Sequence, residues 1–293
     1  MLRVGDLFRV VHWNVRRCVD VSGACSRARI VRSLEELQPG LVTLNEVDML
    51  QTPSLLEDLS ALGLQHASFF GHVRGVYGNL LASTEPLEEI THLHLDGGTK
   101  VETKDGRVHR IARGLLSTRI SVLGVGVRVA VTHLDHISSV ERRVQMQHAL
   151  RALKAETEQC LVVGDLNALC RRDYTVAEWG EHEQYNLAQG WDQPVDECGE
   201  GGVLALLRGA AFVDAFAALE QPPHWSAAPW SAHVRDRSRP PYRIDFIFSR
   251  VPTAGRETRL VPRAGCVAHN CAEASDHQPI VVDFGAIGPD ATT

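Results

Sequence analysis

A chain of 293 residues removes roughly 75% of its unfolded surface from water on folding, so it needs no disulfide or metal staple. With 44% hydrophobic and 23% charged residues the composition excludes a disordered, collagenous or membrane-spanning chain, and no apolar run approaches the roughly 18 to 20 residues of a bilayer span. Thirty Lys and Arg against 36 Asp and Glu give a formal charge of -6; the whole-molecule field does not attract polyanions, and a nucleic-acid partner has to be held by a local basic cleft.

Residues 7–13 are rich in β-branched and aromatic side chains and predict a strand with Asn14 at its tip. Ile30, Leu34 and Leu37 recur at helical spacing behind Ser26 as N-cap. Pro39-Gly40 stops that helix before a short apolar strand, residues 41–44, that leads to Glu46. Leu55, Leu56, Leu59 and Leu62 predict a second amphipathic helix ended by Gly63, and residues 78–83 and 90–95 read as strands. Asp105-Gly106 between β-prone runs at 101–103 and 108–112 is a hairpin signal. Strands follow over 115–120 and 125–132, the second ending on His133, and a long helix carries Val140, Val144, Met146, Leu150 and Leu153 up to about Glu158. Cys160 to Val163 reads as a buried strand feeding Gly164-Asp165-Leu166-Asn167. Segment 171–240 is the least regular, with a helix near 176–187. Strand signal returns at 242–248 and 279–284, and residues 285–293 read as a frayed tail.

With no internal repeat, low-complexity tract or linker, residues 1–293 are expected to form one domain. Strands outnumber helices, and hairpins mix with strand-helix-strand passages, which favours an α/β architecture of mixed sheets sandwiched between helices. The cysteines at 18, 25, 160, 170, 198, 266 and 271 are odd in number, scattered and never in a Cys-x-x-Cys pair. They predict a reducing, intracellular, cytoplasmic setting and no thiolate zinc site, and the N-terminus does not read as a secretory signal.

Five segments share one layout, an apolar strand followed at once by carboxylate, amide or imidazole groups: Trp13-Asn14, Asn45-Glu46, residues 132–136 (Thr-His-Leu-Asp-His), residues 164–167 and Ser275-Asp276-His277. A sixth, Arg243-Ile244-Asp245-Phe246, buries an Asp in a strand of large apolar residues. Singly, a strand-end Asn or Asp is most often a turn former. A buried Asp is harder to dismiss, because an unpaired charge there costs several kcal/mol and demands a partner.

Together and in this order, the segments resemble the endonuclease/exonuclease/phosphatase superfamily, which includes DNase I-like nucleases, abasic-site endonucleases, deadenylases, inositol polyphosphate 5-phosphatases and sphingomyelinases. The resemblance runs from Val10 to about Phe284. Residues 164–167 and 275–277 are its most specific motifs, and Arg142 and Gln145 after the His133 motif add weight. It implies a four-layered α/β sandwich, two mixed sheets packed face to face and flanked by helices, and divalent-metal-assisted hydrolysis of a phosphate ester. Such a bond needs something like 20 kcal/mol of barrier removed, which positioning, acid-base groups and electrostatic donors supply only in combination.

By resemblance, Glu46 is the first metal ligand, for Mg²⁺ or Mn²⁺, and Asp276 and Asn14 lie in the same site, Asn14 either as a direct ligand or as a hydrogen-bond partner of one. Asp165 orients and deprotonates the attacking water, and Asn167 donates to the phosphoryl oxygens. His277 is paired with Asp245, which favours its charged form, and His133 contacts a phosphate oxygen. Asp135 and His136 are balanced between bracing their loop and supporting catalysis. Arg113 either reaches substrate phosphate or is a solvated, strand-pairing arginine, and Arg235, Arg237 and Arg239 lie on a basic loop before the Asp245 strand. His12, His66, His72, His92, His94, His109 and His148 carry no motif and read as structural.

The leading reading is a phosphodiesterase or nuclease acting on nucleic acid or nucleotides by in-line attack of water, with no membrane and no protein partner evident. The alternatives are a phosphatase of a small phosphorylated metabolite or inositol phosphate, and a catalytically silent member that binds a phospho-ligand or protein.

Overall fold

The computed structural model describes residues 7–288 apart from 21, 103–105, 107, 156–157, 190–192, 221–239, 252–257, 269–270 and 272. Two six-stranded sheets stack face to face. In the first, β1 (Leu7–Asn14) lies between β14 (Ile280–Ile287) and β2 (Leu41–Asp48). β13 (Arg259–Val267) flanks β14; β4 (Tyr77–Ser83) and β3 (His66–Val73) continue beyond β2. In the second, the order is β11 (Val213–Asp214), β12 (Asp245–Arg250), β10 (Gln159–Asp165), β9 (Val125–His133), β8 (Gly114–Val122) and β5 (Glu88–His94). β1 and β2 are parallel, as are β9 and β10; the other pairings are antiparallel. β6 (Lys100–Glu102) and β7 (Val108–Arg110) form a separate hairpin.

Helices α1 (Arg27–Leu37) and α2 (Leu55–Ala61) cover the outer face of the first sheet, where Ile30, Leu34, Leu55 and Leu59 pack on Val11, Trp13, Leu44 and Leu80. Helices α3 (Ser139–Ala152) and α5 (Val203–Gly209) cover the second: Met146, Ala149 and Leu207 meet Ala130, Val162 and Phe246. α4 (Val176–Gln189) and the short α6 (Ala215–Ala218) complete the helices described. The result is the expected four-layered sandwich. No helix among the described residues is long and apolar enough to cross a membrane.

Between the sheets lies a core of Val10, Leu81, Val129, Val131, Val163, Ile247, Val282 and Phe284. Because strand side chains alternate, the inward stripe of each central strand can be followed to its end, and there it turns polar. Phe8 and Val10 lead to His12 and Asn14, Val131 to His133, Leu161 and Val163 to Asp165, and Ile247 back to Asp245. All these polar groups gather at one end of the sandwich.

Several sequence expectations needed revision. β3, β11, β13, α5 and α6 were not anticipated: edge strands and helices of 4 to 7 residues carry too little periodicity. Ser26 precedes α1 without a side-chain capping bond. The helix predicted to reach Glu158 ends at Ala152. Residues 285–287 are not frayed, for β14 continues to Ile287 and pairs there with Arg259 of β13; residues 289–293 fall outside the described range. Two of the cysteines scattered in the sequence, Cys170 and Cys198, form a disulfide. Nothing in a 28-residue separation announces it; the contact follows from residue 169 bridging Asp196. Cys198→Ser should lower the unfolding free energy by about 2–4 kcal/mol in urea denaturation under non-reducing conditions. A reductant should bring wild type down to the variant, and a wild-type midpoint indifferent to reductant would show that the bridge does not form.

Candidate active site

Asp165 stands at the end of β10, in a position its neighbours dictate. A Cβ on Gly164 would come within 1.8 Å of the Thr132 carbonyl oxygen, so only glycine lets β9 and β10 run this close just before the carboxylate. The Asp165 amide donates to Asn45 Oδ1 at 2.8 Å, and Asn45 Nδ2 donates to Asn79 Oδ1 at 2.9 Å. Asn79 in turn donates to the Gly114 carbonyl at 2.8 Å. This amide relay runs between the sheets directly behind the site.

Glu46 sits on a bulge in β2, where the register with β4 shifts between Leu44 and Val47. Its φ of 58° puts a bulky residue in the left-handed region, a strain of order 1–2 kcal/mol. The bulge lets Asn45 face inward while Glu46 turns its carboxylate to the opening. Asn14 Nδ2 donates both to Glu46 Oε1 (3.1 Å) and to Asp165 Oδ2 (3.0 Å). Its Oδ1 accepts the Arg16 amide, so its amide group stands between the two carboxylates as a donor. Burial, and then the Glu46 carboxylate nearby, push the pKa of the Tyr77 hydroxyl up.

His277 and Asp245 are neighbours, with Nδ1 to Oδ2 at 2.7 Å. Trp13 Nε1 donates to the His277 carbonyl at 2.9 Å and fixes the loop to β1. The other Asp245 oxygen receives His12 Nε2 at 3.1 Å, and the Nδ1 of that ring is held by Thr43. His12, read from sequence as structural, is therefore part of the cluster; its place on the inward face with Val10 and Asn14 was the signal available. His277 Nε2 lies 3.8 Å and His133 Nε2 3.6 Å from Asp165 Oδ2. His133 Nδ1 is 4.0 Å from Glu46 Oε1.

Burial works against charge on His277, but the charge and hydrogen bond of Asp245, with Asp165 and Asp276, prevail and raise its pKa to about 10. Burial would likewise neutralise Asp245, yet His277 and His12 hold its carboxyl well below the usual range. Asp165 is raised to about 7, by burial and then by Asp245, against the pull of His277. His133 is kept neutral by burial first and then by the Arg113 guanidinium and the neighbouring imidazoles.

Asp276 reaches this cluster one link removed: Ser275 Oγ donates to the Asn14 carbonyl at 2.7 Å and lies 3.4 Å from Asp276 Oδ1, while Asp276 Oδ2 is 3.5 Å from Arg16 Nε. Asn167, in the left-handed region at φ 48°, donates its amide to Asp165 Oδ1 and its Nδ2 to the Leu134 carbonyl. Arg113 is buried beside His133 and His136, donating to the Leu134 carbonyl at 3.0 Å and meeting His136 Nδ1 at 3.2 Å. Among the described residues no carboxylate pairs with it. Asp135 is a brace: it accepts from Thr99, Ile137 and Ser138, with Gln145 and Arg142 holding its backbone. Arg142 is bound in turn by buried Glu197. Arg235, Arg237 and Arg239 lie outside the described residues.

The assembled groups comprise a buried carboxyl that can take a proton near neutrality, a charged imidazole beside it, a neutral imidazole, and an outward carboxylate. Solved structures share the sandwich. An endonuclease/exonuclease/phosphatase from Beutenbergia cavernae superposes with a TM-score of 0.63 at 21% identity, over 96% of this chain and 72% of that one. TDP2 from D. rerio complexed with single strand DNA product gives 0.58 at 18% identity, over 95% and 99%. The human Nocturnin catalytic domain with bound sulfate anion gives 0.61 at 18%, over 96% and 94%. These define the chain as a DNase I-like α/β sandwich protein. It belongs to the Endonuclease/Exonuclease/phosphatase family, whose model matches residues 11–277 and whose members hydrolyse phosphoester bonds. No curated protein sequence matches it.

In the metal-free protein the His277 ring should stay protonated through neutral pH. Because its pKa is raised on folding, its contribution to stability is complete below about 6.5, its ordinary value, and is lost as the pH rises through about 10. Asp245→Asn should bring the ring's NMR titration midpoint down by roughly 1 to 3 pH units; an unmoved midpoint would mean that Asp245 does not set its charge.

Proposed function

We propose that the chain is a divalent-metal-dependent phosphodiesterase acting on nucleic acid or nucleotides by in-line attack of water. The observation that carries this reading is the convergence of Asp165, Asp245 and His277, whose ligand-bearing atoms lie within 4.8 Å of one another behind the opening marked by Glu46. A charged imidazole locked by a carboxylate, beside a carboxylate free to take a proton, suits water activation against a developing phosphorane.

The donor set fits a magnesium or manganese ion. Mg²⁺ takes oxygen ligands, keeps most of its waters and so needs an open side. Asp165 and Asp245 are sealed, but the side chains of Glu46 and Asp276 are 24% and 37% exposed. Glu46 and Asp276 would hold the ion, with Asn14 orienting Glu46 as its amide donor. The ion would supply charge neutralisation at the phosphoryl oxygens. Asp165 would position the attacking water and take its proton. His277, kept charged by Asp245, would face the charge that builds on phosphorus. Asn167 and neutral His133 would donate to non-bridging oxygens. Among the described residues no carboxylate meets the buried Arg113 cation, and such a group costs several kcal/mol unless an anion meets it; the substrate phosphate is the anion this reading supplies.

Hydrolysis of a generic phosphodiester should stop with chelator and return with Mg²⁺ or Mn²⁺. Asp165→Asn and His277→Ala should each lower kcat by about 10²- to 10⁴-fold, with folding checked by circular dichroism. Activity retained in either variant removes the role given to that residue.

A further inference from the structure

The hairpin β6–β7 rises from the end of the second sheet that also carries His133 and Asp165. Its stem is closed by the Leu95 amide on the Arg113 carbonyl and the Ile111 amide on the Thr99 carbonyl, both at 2.9 Å. An isolated two-stranded ribbon is marginal in water, and this one is fastened to the loop between His133 and His136. Asp135 accepts the Thr99 amide at 2.7 Å and its hydroxyl at 2.9 Å, and with the same carboxylate the amides of Ile137 and Ser138. Hairpin and loop are thus tied through one buried side chain.

Thr99 turns its hydroxyl to Asp135, so by strand alternation Lys100 faces the other way, and its cross-strand partner Arg110 with it. Both are exposed. Two like charges directly opposite on a ribbon repel, yet among the described residues neither has a carboxylate at ion-pair distance. Glu102, on the same face, lies with its Oε1 near Gly106 at the tip. A Cβ on Gly98 would stand 3.1 Å from Arg110 Cγ, so the arginine stem lies across that glycine and is held close to the stem of the hairpin. In a protein of charge -6, an exposed basic pair that no carboxylate among the described residues meets, on a finger anchored beside the candidate site, is suited to an external anion of high charge density.

We infer that Lys100 and Arg110 grip backbone phosphates of a single nucleic-acid strand outside the bond being cleaved, making the hairpin the element that separates polymeric from small substrates. The inference rests on the phosphodiesterase reading and deepens it. Regularly spaced phosphates fit a pair of neighbouring cations, whose contribution is set by counterion release and therefore by salt.

The test compares wild type with Lys100→Ala/Arg110→Ala by fluorescence anisotropy on a labelled single strand of about a dozen nucleotides in EDTA, between 50 and 200 mM salt. The variant should bind about tenfold more weakly at the low-salt end, and its log-log salt slope should flatten by about 1.4, two contacts at roughly 0.7 each. In Mg²⁺, the ratio of kcat/KM on the strand to kcat/KM on bis(p-nitrophenyl) phosphate should fall about tenfold. Lys100→Glu/Arg110→Glu should go further in the same direction. Equal affinity and equal slope in wild type and both variants overturn the inference. A wild type that hydrolyses neither substrate removes the enzymatic reading instead, and the anisotropy comparison still decides the hairpin.

Discussion

One carboxylate, Asp245, carries the arrangement at the end of the sandwich. It is 1% exposed, and a lone charge there would be several kcal/mol unfavourable. It is tolerated because each oxygen has an imidazole, His277 on one side and His12 on the other. These two rings come from opposite ends of the chain, His12 from β1 of the first sheet and His277 from the loop that leads into its β14, whereas Asp245 begins β12 of the second. The charge cluster therefore fastens the two sheets together at the end where apolar packing stops.

The interface between the sheets has two regimes. Along most of its length Val, Leu, Ile and Phe exclude water, and any slip of one strand by a residue would turn that stripe outward. Over the last pleat the same inward positions carry His12, Asn14, Asn45, Asn79, His133 and Asp165. His12, Asn14, Asn45, Asn79 and Asp165 each have a hydrogen-bond partner in the cluster, with the His133 ring 3.6 Å from Asp165; satisfied partners are the condition under which a buried polar network gives a single arrangement. Local backbone pays attention to the same requirement: Gly164 permits close approach of β9 and β10, and the left-handed Glu46 directs its carboxylate to the opening. Residues held in unusual conformations beside a cleft are a recurrent mark of function.

Around this rigid end the loops are joined by a chain of buried contacts. Asp135, Arg142 and Glu197 connect the His133 loop to segment 196–198, and the disulfide joins that segment to Cys170, three residues beyond Asn167. Loops carrying site residues from two strands are thereby made one unit. Identities of 18% to 21% with solved structures that share the sandwich fit this economy, since stripe polarity and a few fixed contacts define the architecture while most side chains are free to vary.

The sequence by itself determined the mixed-sheet class, with the four-layered sandwich implied by resemblance, and the motif residues, because their signals are local: strand runs leading to Asn14, Glu46, His133 and Asp165 are visible as apolar stretches followed by polar groups. It also placed Asp245 beside His277, through resemblance. It did not disclose His12, Asn45 or Asn79 as partners of the site, nor the Cys170–Cys198 bridge, nor Asp135 as the anchor of a hairpin. Those depend on which residues of distant strands face one another, a matter of register and sheet stacking. Only the packed tertiary structure decides it, because a lone histidine or asparagine has the same local signature whether its neighbour across the interface is a carboxylate or water.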